Sequence, residues 1–286
     1  MIRRLCIIGV GLIGGSLARA LRRRDDCPEI IGASRNAAHL QKAKELGVID
    51  RYETDLAKAV AGADMVMVCV PLGAMESVFA RIKDHLAPDA VLTDAGSAKA
   101  RVVEAARRVF GTLPAFLVPG HPIAGTEQSG VEASFAELYD RRRVILTPLA
   151  ETAATATAQV RMVWEAAGAT VSEMSVEHHD TVLAATSHLP HVLAFTLVDS
   201  LARMGDHDEI FAYAAGGFRD FTRIASSDPV MWRDICMANG EAIVAMIERF
   251  STDLQQTAAL IRAGDDAAIL QLFEDAKRAR DAFAGE

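Results

Sequence analysis

The sequence predicts an α/β protein: a doubly wound, mostly parallel sheet over residues 1–173, followed by an all-α domain over residues 174–286. Three observations carry this. In the first half, continuous apolar runs alternate with amphipathic stretches, as in βαβ units whose sheet is covered on both faces. A turn with regularly spaced glycines follows the first run directly. After about residue 174 the strand-like runs stop and only helical periodicity remains.

The first strand is LCIIGV (5–10), apolar throughout and too short for a helix. IIGAS (30–34), MVMVCV (65–70), AVLTD (90–94), AFLVP (115–119), RVILTP (143–148) and ATVSEM (169–174) repeat the pattern. Helices are expected between them at 14–24, 37–46, 55–61, 74–86, 98–110 and 153–167. The all-α part reads as 177–204, 207–214, 218–226, 229–248 and 251–283, broken by RMGDHD, AAGGF and SSDP. Its segment 181–202 is apolar on nearly all sides, so more than one face needs covering. A helical domain of this size with such a helix draws part of its core from a second copy, and a homodimer is expected.

Composition narrows the function. The 286 residues suit two domains, and 51% are apolar, yet no uninterrupted apolar run reaches membrane-spanning length. The basic-then-apolar start, MIRRLCIIGVG, runs into glycines where a signal peptide would be cleaved, so a cytoplasmic location is expected. A net charge of −8 argues against a nucleic-acid surface. The four cysteines (Cys6, Cys27, Cys69, Cys236) lack zinc spacing and read as reduced core residues.

GVGLIGGSLARAL places Gly9, Gly11 and Gly14 in Gly-x-Gly-x-x-Gly spacing between a strand and a helix. This is the Rossmann-like arrangement: the first glycine permits the tight turn, the second lets backbone approach a pyrophosphate, and the third lets helix pack on strand. The helix start at Leu12 and Ile13 then offers free N–H groups to the phosphates. At the end of the second strand, where an NAD site usually has an acid for the ribose 2′-hydroxyl, stand Ser34 and Arg35. A hydroxyl and a guanidinium favour a 2′-phosphate, hence NADP; the alternative is that Arg35 stacks on adenine and NAD binds. Val70 and Pro71 end the third strand where backbone would meet the nucleotide. Ser97 and Lys99, in DAGSAK, read either as a helix cap or as site residues. By position alone, His121 in GHPIAGTE is either a turn histidine or a functional one.

Taken in order, GVGLIGGS, DAGSAK, GHPIAGTE, TSHLPH, GGFRDFTRIA and DPVMW resemble the prephenate/arogenate (cyclohexadienyl) dehydrogenase family of tyrosine biosynthesis. The first motif is generic to dinucleotide folds; HPIAGTE and SHLPH combined with GGFRDFTR are specific, and the resemblance spans nearly the whole chain. It implies a Rossmann-like domain followed by a helical dimerisation domain, without a metal. The implied reaction is oxidative decarboxylation of prephenate to 4-hydroxyphenylpyruvate. His121 matches the family's catalytic histidine, which takes the ring hydroxyl's proton, and Ser97 the serine near the nicotinamide. Ser187, His191 and Gly216 match substrate-facing positions. Arg223 matches the arginine that holds a substrate carboxylate, with Arg219 as its rival. Glu127 and Asp220 are expected to pair with Arg223 or to gate the cleft. A chorismate mutase or regulatory ACT domain has no room here, so tyrosine feedback would act at the active site.

Three other readings remain beside this one. An arogenate-specific enzyme would differ only in meeting an amino rather than a keto side chain. A β-hydroxyacid dehydrogenase would need a lysine in the helical domain, and none lies between Glu177 and Asp275. A non-catalytic nicotinamide-binding protein would have no reason to carry His121, Ser97 and Arg223 together.

Overall fold

The computed structural model describes residues 2–284. Strand β1 (Arg4–Ile8) leads through α1 (Leu12–Leu21) to β2 (Glu29–Ala33), then through α2 (Ala37–Glu45) to a short β3 (Arg51–Glu53). There follow α3 (Leu56–Val60), β4 (Met65–Val68), α4 (Met75–Ile82), β5 (Val91–Asp94), α5 (Lys99–Phe110) and β6 (Leu117–Val118). These strands form one sheet in the order β3-β2-β1-β4-β5-β6, with every neighbouring pair parallel. The order reverses between β1 and β4, and in such sheets ligands bind in the crevice beyond the carboxyl ends at that point.

Alternate residues of the apolar strands feed two cores. Leu5, Ile7, Ile30, Met65 and Met67 pack with Leu17 and Leu21 of α1 and with Val160 and Trp164 of α6 (Ala154–Ala166). Cys6, Ile8, Ile31, Val66, Val68 and Leu92 point the other way, onto Phe79, Ile82, Val102 and Ala106. This is why the strands read as unbroken apolar runs. The doubly wound sheet that the sequence predicts is present.

The last strands depart from that expectation. Pro119 has no N–H to continue the ladder, so β6 stops at Val118. The chain re-forms as β7 (Gly120–Pro122), which joins β8 (Arg143–Leu146) and β9 (Thr170–Glu173) in a separate three-stranded sheet. There β7 runs antiparallel to β8, and β9 parallel to it. His121 therefore lies mid-strand, opposite Ile145, rather than in a turn.

The helix expected at 177–204 is interrupted. α7 (Val176–Leu183) passes through one π turn, Ala184–His188, into α8 (Leu189–Ala202). Pro190 cannot donate to the carbonyl four residues back, and the turn absorbs the mismatch. The run Val176–Ala202 is long and apolar enough to cross a membrane by length and composition, but it carries His179 and Asp180 in buried positions. α9 (His207–Ala212), α10 (Gly216–Thr222), a 3-10 turn at Arg223–Ser226 and α11 (Pro229–Ala238) follow. The helix expected to run to 248 ends at Asn239, whose side chain is drawn into a buried contact described below. α12 (Gly240–Ala263) and α13 (Asp266–Ala284) meet at Gly264, whose φ of +64° lets the helix end. By contacts the chain divides into two compact units, one ending at Gly240 and one beginning at Glu241.

Candidate active site

The glycine turn has two crowded positions and one open one. Gly9 sits at φ +95°, and a Cβ there would lie 2.2 Å from the Cys69 carbonyl oxygen. A Cβ on Gly14 would lie 2.5 Å from the Gly9 oxygen and 2.7 Å from Ile7, so this glycine seats α1 on β1. At Gly11 a Cβ would meet nothing within 4 Å, and this N-cap of α1 has no side-chain acceptor. The N–H groups at Leu12 and Ile13 thus open α1 without a side-chain cap, as an anion-binding helix start requires. The Tyr139 hydroxyl donates to the Ile13 carbonyl at 2.7 Å and steadies this turn.

Around the turn, Val70 is partly exposed beyond β4, and Pro71 caps a 3-10 turn. Ser34 Oγ accepts from the Asn36 N–H at 3.0 Å, while Asn36 caps α2. Arg35 is exposed, with no hydrogen bond from its guanidinium among the described residues. The residues present fit a dinucleotide: a cradle open at Gly11, an uncapped helix start and a free cation at the end of β2.

A buried clamp sets His121. Lys99 Nζ donates to Asp94 Oδ2 at 2.6 Å and to the Gly120 carbonyl at 2.5 Å, and the Gly120 N–H donates to Asp94 Oδ1 at 3.1 Å. Both side chains are fully buried. Burial pulls the Lys99 ammonium below its ordinary value, opposed by the charges of Asp94 and Asp180. The residue before His121 is thus tied at both backbone groups to the end of β5.

His121 itself is 8% exposed. Its Nδ1 is 2.9 Å from His179 Nε2, and His179 Nδ1 is 2.7 Å from Asp180 Oδ1. Burial, followed by the charges of His179, Lys99 and His188, holds the His121 pKa well below that of a free imidazole. Ser97, in the turn before α5, makes no cap bond; Asp180 caps that helix instead, accepting from the Lys99 and Ala100 N–H groups at 2.8 and 2.9 Å. Asn239 donates to the Asp180 carbonyl at 2.8 Å and reaches His188 Nδ1 at 3.1 Å. Burial brings His188 down to about 4.

Next to the π turn, His191 Nδ1 donates to the Ser187 carbonyl at 2.8 Å and its ring stacks on Trp232 at 3.7 Å. Burial lowers His191; the Ser187 bond opposes this and the nearby Arg223 charge adds to it. Arg223, 61% exposed at its side chain, pairs with Glu127 at 3.1 Å, six residues beyond His121. Arg219 and Asp220 are exposed and make no side-chain hydrogen bond among the described residues, and Gly216 opens α10 with empty space around it. Sequence reasoning attached no site role to His179, Asp180, Asp94 or Asn239. The run His178-His179-Asp180 reads locally as a helix start, which it also is.

Two family profiles match the chain: "Prephenate dehydrogenase, nucleotide-binding domain" over residues 17–173 and "Prephenate dehydrogenase, dimerization domain" over residues 175–275. The cyclohexadienyl dehydrogenase of Zymomonas mobilis is 38% identical over 97% of this chain and 95% of its own. The crystal structure of Aquifex aeolicus prephenate dehydrogenase in complex with hydroxyphenyl propionate and NAD+ superposes with a TM-score of 0.92, at 38% identity over 99% of both chains. Synechocystis arogenate dehydrogenase gives a TM-score of 0.82 at 28% identity, over 98% of this chain and 99% of that one. The glycine cradle, the histidine held on β7 and the full-length likeness have one reading: the chain belongs to the prephenate dehydrogenase family of nicotinamide-dependent oxidoreductases.

Proposed function

We propose that this enzyme carries out the oxidative decarboxylation of prephenate to 4-hydroxyphenylpyruvate in tyrosine biosynthesis, with His121 as the base. The observation that carries the reading is His121 itself: buried, held toward its neutral form by that burial, and tied through Gly120 to the carboxyl end of β5, on the side where the nucleotide crevice opens. Bound NAD(P)+ supplies the two-electron acceptor. His121 takes the ring hydroxyl's proton as the ring carbon is oxidised. The bond to the ring carboxylate then breaks, its electrons make the ring aromatic, and the phenolate recovers a proton, so none is released overall.

Gly9, Gly11, Leu12, Ile13, Gly14, Val70 and Pro71 hold the dinucleotide, with Ser34 and Arg35 at its ribose. Arg35 has no partner among the described residues and β2 ends without an acid of its own, which favours NADP over NAD. Arg223 exchanges Glu127 for a substrate carboxylate, while Ser97, Ser187, His191 and Gly216 border the substrate. The nucleotide-binding domain runs over residues 1–173 and also carries Ser97 and His121, and the helical domain over 174–286 completes the substrate site and the dimer. The enzyme works as a homodimer in the cytoplasm.

The test incubates the purified protein with prephenate or arogenate, each with NAD or NADP, and follows nicotinamide absorbance. The expected result is reduction with prephenate, faster with NADP. Reduction with arogenate alone makes it an arogenate dehydrogenase. Four flat traces from folded, nucleotide-binding protein overturn the proposal.

A further inference from the structure

An imidazole acts as a base only through the ring nitrogen that carries no hydrogen, so the tautomer of His121 decides whether it can work. The groups behind it fix that tautomer by elimination. Asp180 Oδ1 and Oδ2 accept from the Lys99 and Ala100 N–H groups, the first two of α5, and a backbone N–H can only donate. Burial tends to raise the Asp180 carboxyl, but the bonds from His179, Ala100 and Lys99 outweigh it and hold the group below its ordinary range. The positive end of a twelve-residue helix acts in the same direction. Asp180 is therefore ionised and accepts only.

His179 Nδ1, 2.7 Å away, must then carry a hydrogen. Burial keeps His179 below the ordinary imidazole value, against the pull of Asp180, so the ring is neutral and its Nε2 is bare. A bare nitrogen can only accept, and the atom 2.9 Å from it is His121 Nδ1. The hydrogen of that contact belongs to His121.

We infer that His179 and Asp180 are positioning residues: a directional chain from the start of α5 through α7 that keeps the hydrogen of His121 on Nδ1 and leaves Nε2 free to receive the substrate's proton. The inference rests on His121 being the base. The chain also holds the ring in place, since β7 is clamped at Gly120 and α7 at the Asp180 carbonyl by Asn239. When Nε2 is protonated, Nδ1 keeps its hydrogen and its bond, so no second proton has to move. The ionisable groups facing His121 are Lys99 from α5, His179 from α7 and His188 from the π turn, with Asp94 and Asp180 behind them.

A buried network can also exist only to satisfy its own polar groups. Two measurements separate the roles. In full-length protein labelled with 15N-histidine, two-bond nitrogen–proton correlations read each tautomer, and loss of a signal in His121→Asn assigns it. The expected wild-type state is Nδ1–H on His121. His179→Leu, which removes the acceptor, is expected to populate Nε2–H. His179→Gln, whose amide oxygen can accept at the same place, is expected to restore Nδ1–H.

In turnover, His179→Leu should lower kcat about 10²-fold, within the range of an impaired general base, with KM nearly unchanged. His179→Gln should stay within roughly tenfold of wild type. His121→Asn/His179→Leu should be no slower than His121→Asn alone, because His179 acts only through His121. Nε2–H on His121 in the wild type overturns the inference, and that reading stands even if His179→Leu does not fold. So does a His179→Leu enzyme with wild-type kcat, or losses that multiply in the double variant. Normal turnover by His121→Asn would instead remove the base assignment itself.

Discussion

At the scale of single residues, the proposed reaction depends on an imidazole held toward its neutral form. His121→Asn should lower kcat roughly 10²–10⁴-fold, the range for a general base, while nucleotide and substrate still bind. Near-normal turnover would show that the proton leaves by another route. The pH profile follows from the depressed pKa. Lowering it from 6.5 extends the neutral, proton-accepting form toward acid, so kcat/KM should be level through neutral pH and fall only below 6.5. A fall centred at or above 6.5, measured at saturating nucleotide, would place another group in control. Arg223→Ala should cost about 2–5 kcal/mol of substrate binding, as expected for a hydrogen-bonded charge pair, and appear in KM. A loss confined to Arg219→Ala would transfer the role. The candidates His121 and Arg223 could be picked out from the sequence because each sits in a specific short motif. His179 could not, because its meaning comes from a contact with a residue 58 positions away.

At the scale of elements, the glycine turn separates packing from binding. Gly11→Ala adds a methyl in empty space at negative φ, so the fold should lose no more than about 1 kcal/mol, the usual limit for a weaker N-cap. The same methyl stands where a pyrophosphate would lie, and the nucleotide Kd should rise roughly tenfold, or about 1.4 kcal/mol. Gly14→Ala pushes a methyl against backbone, so α1 must move; a stability loss of about 1–3 kcal/mol is expected, typical of overpacking. Denaturant melts and nucleotide titrations of both variants check this; equal behaviour in the two would contradict the division of roles. The main-sheet strands other than β3 were legible because runs of three to six apolar residues between turn signals have few other uses. β3 and β7 were missed since RYE and GHP are three residues long and carry no apolar run. The helix break at Asn239 was signalled locally by Asn239-Gly240, a common turn pair, but the apolar periodicity on both sides outweighed it; a buried hydrogen bond from the Asn239 side chain secures the break.

At the scale of the molecule, the helical part is too apolar for its own surroundings. Of the fourteen residues of α8 only Leu189 and Ala194 are buried, although the helix also carries Val192, Leu193, Phe195, Leu197 and Val198. α12 exposes Val244, Leu254 and Ile261, and α13 exposes Leu270, Leu272 and Phe273. Scattered apolar residues are ordinary on a surface, but runs of them along successive helices mark an interface. Residues 175–275 match a family profile described as a dimerization domain, which makes a second copy of the chain the partner to test. Obligate homodimer contacts resemble a protein core cut in half, which fits a helix that stays half-covered on several sides. Light scattering behind a sizing column should therefore give twice the chain mass of 30.7 kDa at micromolar concentration. Leu254→Glu/Ile261→Glu places two charges on the exposed face of α12 and should shift the population toward the single-chain mass. A wild-type protein that elutes at the single-chain mass would rule out the dimer. A double variant that remains fully dimeric would move the interface off α12 and leave α8 as the face to charge next.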